Sequence, residues 1–143
     1  MAQTVYTATL TGPLVYTDGL IALRRAQVES PEHPGQILRE HALCYPPSEA
    51  DAVLEPLYPD QLGEDFLALS TPGHNNAAYS ADPWAIQALA RLLSSSDEED
   101  QPSMPWIPSA IELLTEIATR WPHMDRLTWA GALTTGRHHR RLL

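Results

Sequence analysis

Lysine is absent from the 143 residues, and all nine basic side chains are Arg. Without lysine there is no Schiff-base amine, no lysine general base and no phosphate-loop lysine. No GxGxxG pattern occurs either, so nucleotide hydrolysis through a phosphate-binding loop is excluded for this chain alone. Cysteine occurs once, as Cys44, which excludes an internal disulfide and any zinc site built from several thiolates. Phe66 is the single phenylalanine, and Val and Ile number only four and six. Strands favour such residues, so their scarcity argues against a sheet protein. No stretch approaches ~18 apolar residues, and the N-terminal MAQTVYTATLTG has no basic leader or apolar run of signal length. The expectation is a soluble, cytoplasmic protein with no membrane partner.

What the chain does have is Leu (20) and Ala (18), both good helix formers, within a 43% apolar composition that suffices for a core. One all-α domain, or a large piece of one, is expected. Eighteen Asp and Glu face nine Arg, for a net charge of −9. The last seven residues, Arg137 to Leu143, hold three of those Arg with His138 and His139. The body is therefore more acidic still and would repel a phosphate backbone, which argues against nucleic acid as a partner. The basic tail itself reads as a frayed terminus.

Thirteen prolines punctuate the chain and mark helix ends. Residues 5 to 15 read either as a first helix or as an extended arm. Thr17 or Asp18 caps a helix to about Val28, and Pro34 opens one ending at Tyr45, with Ile37, Leu38, Ala42 and Tyr45 inward. Ser48 with Asp51 resembles a capping box and predicts a brief helix from Glu49 to Leu54. Pro59-Asp60 starts a helix whose stripe is Leu62, Phe66 and Leu69; Gly63 within it implies that another backbone packs closely. A loop follows from Ser70 to Ala81. Asp82-Pro83 then restarts the chain, with Trp84, Ala88, Leu89 and Leu92 as the stripe. After the polar run SSSDEEDQPS, a helix from Pro108 carries Ile107, Ile111, Leu114, Ala118 and Trp121, and Asp125 caps a last one. The resulting division is a helical module (1–93), an acidic flexible linker (94–104), a C-terminal helical hairpin (105–135) and a basic disordered tail (136–143). The six or seven short helices suit helical-repeat-like packing, as a solenoid or an irregular bundle. The spacing fits an array of helix pairs better than a compact bundle, although no repeat period is visible.

Chemistry-bearing residues are sparse. His41 and Cys44, three apart on one helix, form at most half a metal site, and Cys44 reads more simply as a small buried hydrophobe. The loop Thr71-Pro72-Gly73-His74-Asn75-Asn76 lies near a helix carrying Asp60, Glu64 and Asp65. A loop histidine oriented by a carboxylate can act as a general base, but Pro-Gly turns commonly end in capping Asn or His. Asp97 to Asp100 lacks the alternating oxygens and glycine of a calcium loop. The four Trp read first as wedges between helices, with Trp106 the one expected to be exposed as a partner anchor. No catalytic, cofactor-binding or metal-binding residue is assigned. Tyr58, Asp60, His74, Trp84 and Trp106 are the residues expected to meet a protein partner.

Several sequence islands occur together: Ala42-Leu43-Cys44-Tyr45-Pro46-Pro47, PLYPDQLGEDFLAL from Pro56 to Leu69, Thr71-Pro72-Gly73-His74, Ala81-Asp82-Pro83-Trp84-Ala85 and Arg120-Trp121-Pro122-His123. In this order, over roughly residues 5 to 125, they resemble the helical region after the nucleotide-binding and winged-helix parts of actinobacterial STAND-type NTPases. Those ATP-binding signalling proteins often continue into tetratricopeptide-like repeats. The resemblance implies a non-catalytic arm or scaffold that serves signal transduction by contacting a neighbouring domain or a protein partner. Phosphate-binding residues would lie upstream, so no catalytic role is carried over. Met1 and the basic Gly136 to Leu143 depart from the pattern, as expected of a truncated or independently started chain. The alternative is a stand-alone acidic binding protein of antitoxin or immunity type; the third reading is a hydrolase centred on His74.

Overall fold

The computed structural model describes residues 1–94 and 104–127. Helix α1 (Ala2–Thr11) contains no charged residue, and every residue from Thr4 to Thr11 is buried. Threonine and valine are mediocre helix formers, yet full burial on all sides overrides that preference. The buried hydroxyls are given partners, as burial demands. Thr7 Oγ1 donates to the Gln3 carbonyl at 2.9 Å, and Thr9 Oγ1 accepts the Leu57 amide at 3.4 Å. Thr71 gives its own proton to the Leu67 carbonyl, so the Tyr6 hydroxyl must donate to Thr71 Oγ1, at 2.7 Å. Burial raises the Tyr6 hydroxyl far above the usual tyrosine range and keeps this donor protonated. Tyr6→Phe is expected to cost about 1 kcal/mol in chemical denaturation, because Thr71 keeps its bond to Leu67 and no buried donor is orphaned.

Gly12 ends α1 with φ 72°, a conformation that favours glycine, and its amide returns to the Ala8 carbonyl. Strand β1 (Leu14–Val15) follows and leads into α2 (Tyr16–Ala26) and α3 (Pro34–Cys44), with Pro34 in the first turn. Strand β2 (Ala52–Val53) pairs antiparallel with β1, Leu14 opposite Val53. Helices α4 (Asp60–Ser70), α5 (Trp84–Leu93) and α6 (Ile107–Arg120) complete the fold with a helical stretch over 122–127. The described residues are all-α apart from the two-residue strand pair, and residues 5–15 resolve into helix followed by strand.

Helix α1 is the hub. It packs on α2, α3, α4 and α6, while α2 packs on α5. In a solenoid each helix touches mainly its sequence neighbours. Here α1 reaches α4 and α6 across the chain, so the packing is an irregular bundle and not the array of helix pairs that the spacing favoured. Residues after 103 share this core: Met104, Trp106, Ile107, Ala110, Leu114, Ile117 and Met124 join one buried cluster with Tyr6, Leu10, Leu67 and Leu92. The acidic run from 95 to 103, Trp129 and the basic tail lie outside the described residues.

Three local expectations are corrected. No helix forms from Glu49 to Leu54: the Ser48 amide and hydroxyl both go to the Glu55 carboxylate instead of capping a turn, and Leu54 takes φ 62°. Helix α4 is rotated from its expected face. Gly63, Leu67 and Ala68 are buried, whereas Leu62 is 52% exposed. A Cβ on Gly63 would lie 3.0 Å from Thr9 Cγ2 and 3.2 Å from the Leu57 carbonyl oxygen. The close approach inferred from this glycine is therefore present, and it draws that side of α4 against α1. Cys44 is exposed, not the small buried hydrophobe expected: the buried side of α3 is Gly35, Leu38 and His41, and Tyr45 stacks on His41 at 4.9 Å.

Candidate functional site

The residues singled out from sequence separate into three places. Trp106 is 1% exposed, not a surface anchor; its indole donates to the Leu92 carbonyl at 2.9 Å. The ring lies inward, against the end of α5, because a buried indole with a carbonyl partner satisfies both its apolar body and its N–H. Trp84 is likewise buried, donating to the Ala26 and Gln27 carbonyls at the end of α2 and meeting Tyr6 edge-on at 5.5 Å. Neither Trp is available to a partner in this fold.

His74 sits at the C-terminal end of α4. Its Nδ1 accepts the Asn76 amide at 3.1 Å, so Nε2 carries the proton and donates to the Leu69 carbonyl at 2.9 Å. His123 comes up beside it, with ring centroids 5.8 Å apart, and contacts the Ala68 carbonyl at 2.8 Å. The two imidazoles close the last turn of α4, whose final carbonyls have no helical partners of their own. Both nitrogens of His74 are occupied, which leaves none free as a base. Of the carboxylates expected beside it, Asp65 bonds Trp121 and Arg120, while Glu64 bonds Arg120. His41 and Cys44 do not converge, and no group of three metal-ligating side chains exists among the described residues.

Tyr58 and Asp60, by contrast, are brought together. They flank the start of α4 and line a groove of about 260 Å³ between α1, α4 and α6. Its walls carry Leu57 and Leu113 as apolar surface and Asp60, Glu64 and Glu116 as carboxylates. Tyr58 is 57% exposed at the rim. Desolvation raises its hydroxyl above the usual value, and the negative charges of Glu55 and Asp60 add to this. The hydroxyl stays protonated and is turned toward Glu55, which leaves the ring beside apolar surface. Glu64 is held by Arg120 at 2.7 Å, an ion pair with Arg120 40% exposed and thus worth little in isolation. Leu113 and Glu116 also line a shallow furrow along the outer face of α6 with Ile111 and Glu112, so the groove continues beyond α4.

Glu116 and Leu113 escaped the sequence reading because they lie 56 and 53 residues beyond Asp60, and no spacing rule joins them to it. Glu55 was also missed: it lies between Leu54 and Pro56 without any periodic signal, yet it is 6% exposed. No helix among the described residues is long and apolar enough to cross a membrane. Compared with known proteins, the chain matches no family model, no curated protein and no solved structure.

Proposed function

We propose that this chain is a non-catalytic interaction module of the cytoplasm that receives an arginine- or lysine-bearing segment of a protein partner. The observation that carries the reading is the groove itself: apolar Leu57 and Leu113 bounded by Asp60, Glu64 and Glu116, with Tyr58 at its rim. Tyrosine beside apolar surface supplies contact area, and surrounding carboxylates select the sign of the partner and speed its arrival. The surface pair of Arg120 and Glu64 shows a guanidinium already accommodated at one edge.

The test is titration of a dodecapeptide alternating Arg and Leu, followed by amide NMR shifts, against the same peptide with Glu for Arg. Binding is expected to map to Tyr58, Gly63 and Leu113, to weaken steeply with salt, and to fall about tenfold or more in Asp60→Lys/Glu116→Lys. Both substituted positions are exposed, so the fold should be unchanged. Equal binding of the acidic peptide, or shifts elsewhere on the surface, would sink the proposal.

The resemblance to STAND-type NTPases makes the partner a neighbouring domain of a longer signalling chain. An open reading frame upstream encoding a phosphate loop would support that version, and an unrelated one would remove it. The net charge of −9 favours a second version, an independent acidic binding protein of antitoxin or immunity type. Co-purification with the product of an adjacent gene encoding a basic toxin would favour it.

A further inference from the structure

The segment from 45 to 59 straps α3 to α4 and carries Leu57 and Tyr58 into the groove wall. Its apolar anchors are Leu54, 2% exposed in the core, and Val53, which packs over Gly19 beside Leu38; its polar fastenings are few. The Leu57 amide reaches Thr9, β2 pairs with β1, and Glu55 gathers the Ser48 amide and hydroxyl with its carboxylate. The polar tie to α3 is His41, 1% exposed on its inner face, whose Nε2 meets the Glu55 carbonyl at 2.9 Å. Because a carbonyl only accepts, Nε2 must carry the proton. Nδ1 is then a bare lone pair, buried and without any partner. This arrangement suits a neutral ring only: a second proton would sit on Nδ1 with no acceptor and would charge a ring shut away from water.

We propose that His41 is an acid-released latch: protonation at Nδ1 detaches the strap from α3, moves Leu57 and Tyr58, and so dismantles one wall of the groove. Its consequence for partner binding rests on the groove reading above; the latch itself does not. Charged groups around the ring are few. From the strap, Glu55 acts on it and favours the proton in part. On α3, Tyr45 stacks on the ring and Glu40 is turned to Gln36. Helix α1 offers no charge, its Tyr6 being bonded to Thr71. On α2, Arg25 is engaged with the Arg91 and Ser94 carbonyls, and neither Asp18 nor Arg24 acts on the ring. Burial prevails over Glu55 and holds the imidazole below its ordinary value of 6.5. The sign follows. The released strap takes up a proton before the fastened one, so the fastened state is fully favoured above about pH 6.5 and loses about tenfold per unit below it, until the depressed value of the buried ring is passed.

Amide hydrogen exchange, expressed as protection factors from about pH 7.5 to about pH 5, tests this on the full chain. Protection at Ser48, Val53 and Leu57 is expected to fall by about tenfold per unit below about pH 6.5 while α5 keeps its own. His41→Gln, which can still donate to Glu55 without titrating, should abolish the dependence. Flat protection in the wild type, or the same decline in His41→Gln, overturns the latch. In case that variant folds poorly, the wild-type His41 ring resonance gives an independent reading: a midpoint below 6.5 supports the latch, and one at or above it overturns it. Strap release at low pH in a protein that binds no peptide at neutral pH would support the latch and remove only the groove reading.

Discussion

Trp106→Ala is expected to cost about 3–5 kcal/mol, the range for deleting a large aromatic from a packed core. Two losses combine. The indole body is among the largest fully buried side chains, and its removal leaves a cavity in the core that the surroundings fill only in part. The Leu92 carbonyl also loses the donor it receives at 2.9 Å. Against a total stability of about 5–15 kcal/mol, this is a large share, and the thermal midpoint should drop by about 10 °C or more. Trp106→Phe separates the two effects: it retains most of the volume and loses the N–H, for about 1–2 kcal/mol. Urea titration of the three proteins is the measurement. A cost below about 1 kcal/mol for Trp106→Ala would mean that the ring is not in the core and that α6 is not anchored there.

Leu67→Ala and Leu62→Ala are expected to differ sharply, although the two leucines are five residues apart on one helix. Leu67 is fully buried where α4 meets α1, so its truncation should cost about 2–5 kcal/mol. Leu62 is 52% exposed, and its truncation should fall within about 0.5 kcal/mol of wild type. The stripe expected from sequence assigns the larger cost to Leu62, so one pair of denaturation curves separates the two orientations of α4. A further contrast comes from Gly63. A side chain there must displace Thr9 or the Leu57 backbone, so Gly63→Val should destabilise by overpacking at the same seam where Leu67→Ala does so by leaving space.

The sequence was most legible where structure depends on a few neighbouring residues. Pro34 and the Asp82-Pro83 pair mark the starts of α3 and α5, and the Asp82 carboxylate accepts the Trp84 amide at 3.0 Å. The stripe Trp84, Ala88, Leu89 and Leu92 is buried as expected, although Ile86 is left exposed on the other side of α5. Legibility failed where several faces were equally apolar. Helix α4 has two plausible stripes, and α1 has no polar face to mark its outside. At Ser48 a local capping pattern competed with a carboxylate seven residues on, and Glu55 won by taking both the amide and the hydroxyl. Of the candidate site, Tyr58 and Asp60 were visible as exposed groups at a helix start. Glu64 was visible as a charge placed early in that helix, near its positive end, but Leu113 and Glu116 were not visible as their neighbours.

By itself, then, the sequence determined the helical class, the proline-set boundaries, the close approach at Gly63 and the acidic charge of the body. These follow from backbone sterics, propensity and composition, which act within a turn or two or sum over the whole chain. Only the tertiary structure decided that threonine-rich α1 would be the central helix, that Trp106 would turn inward, and that carboxylates from α4 and α6 would meet across one groove. Each of those outcomes depends on contacts between residues far apart in the chain, where burial of a whole surface outweighs any local preference.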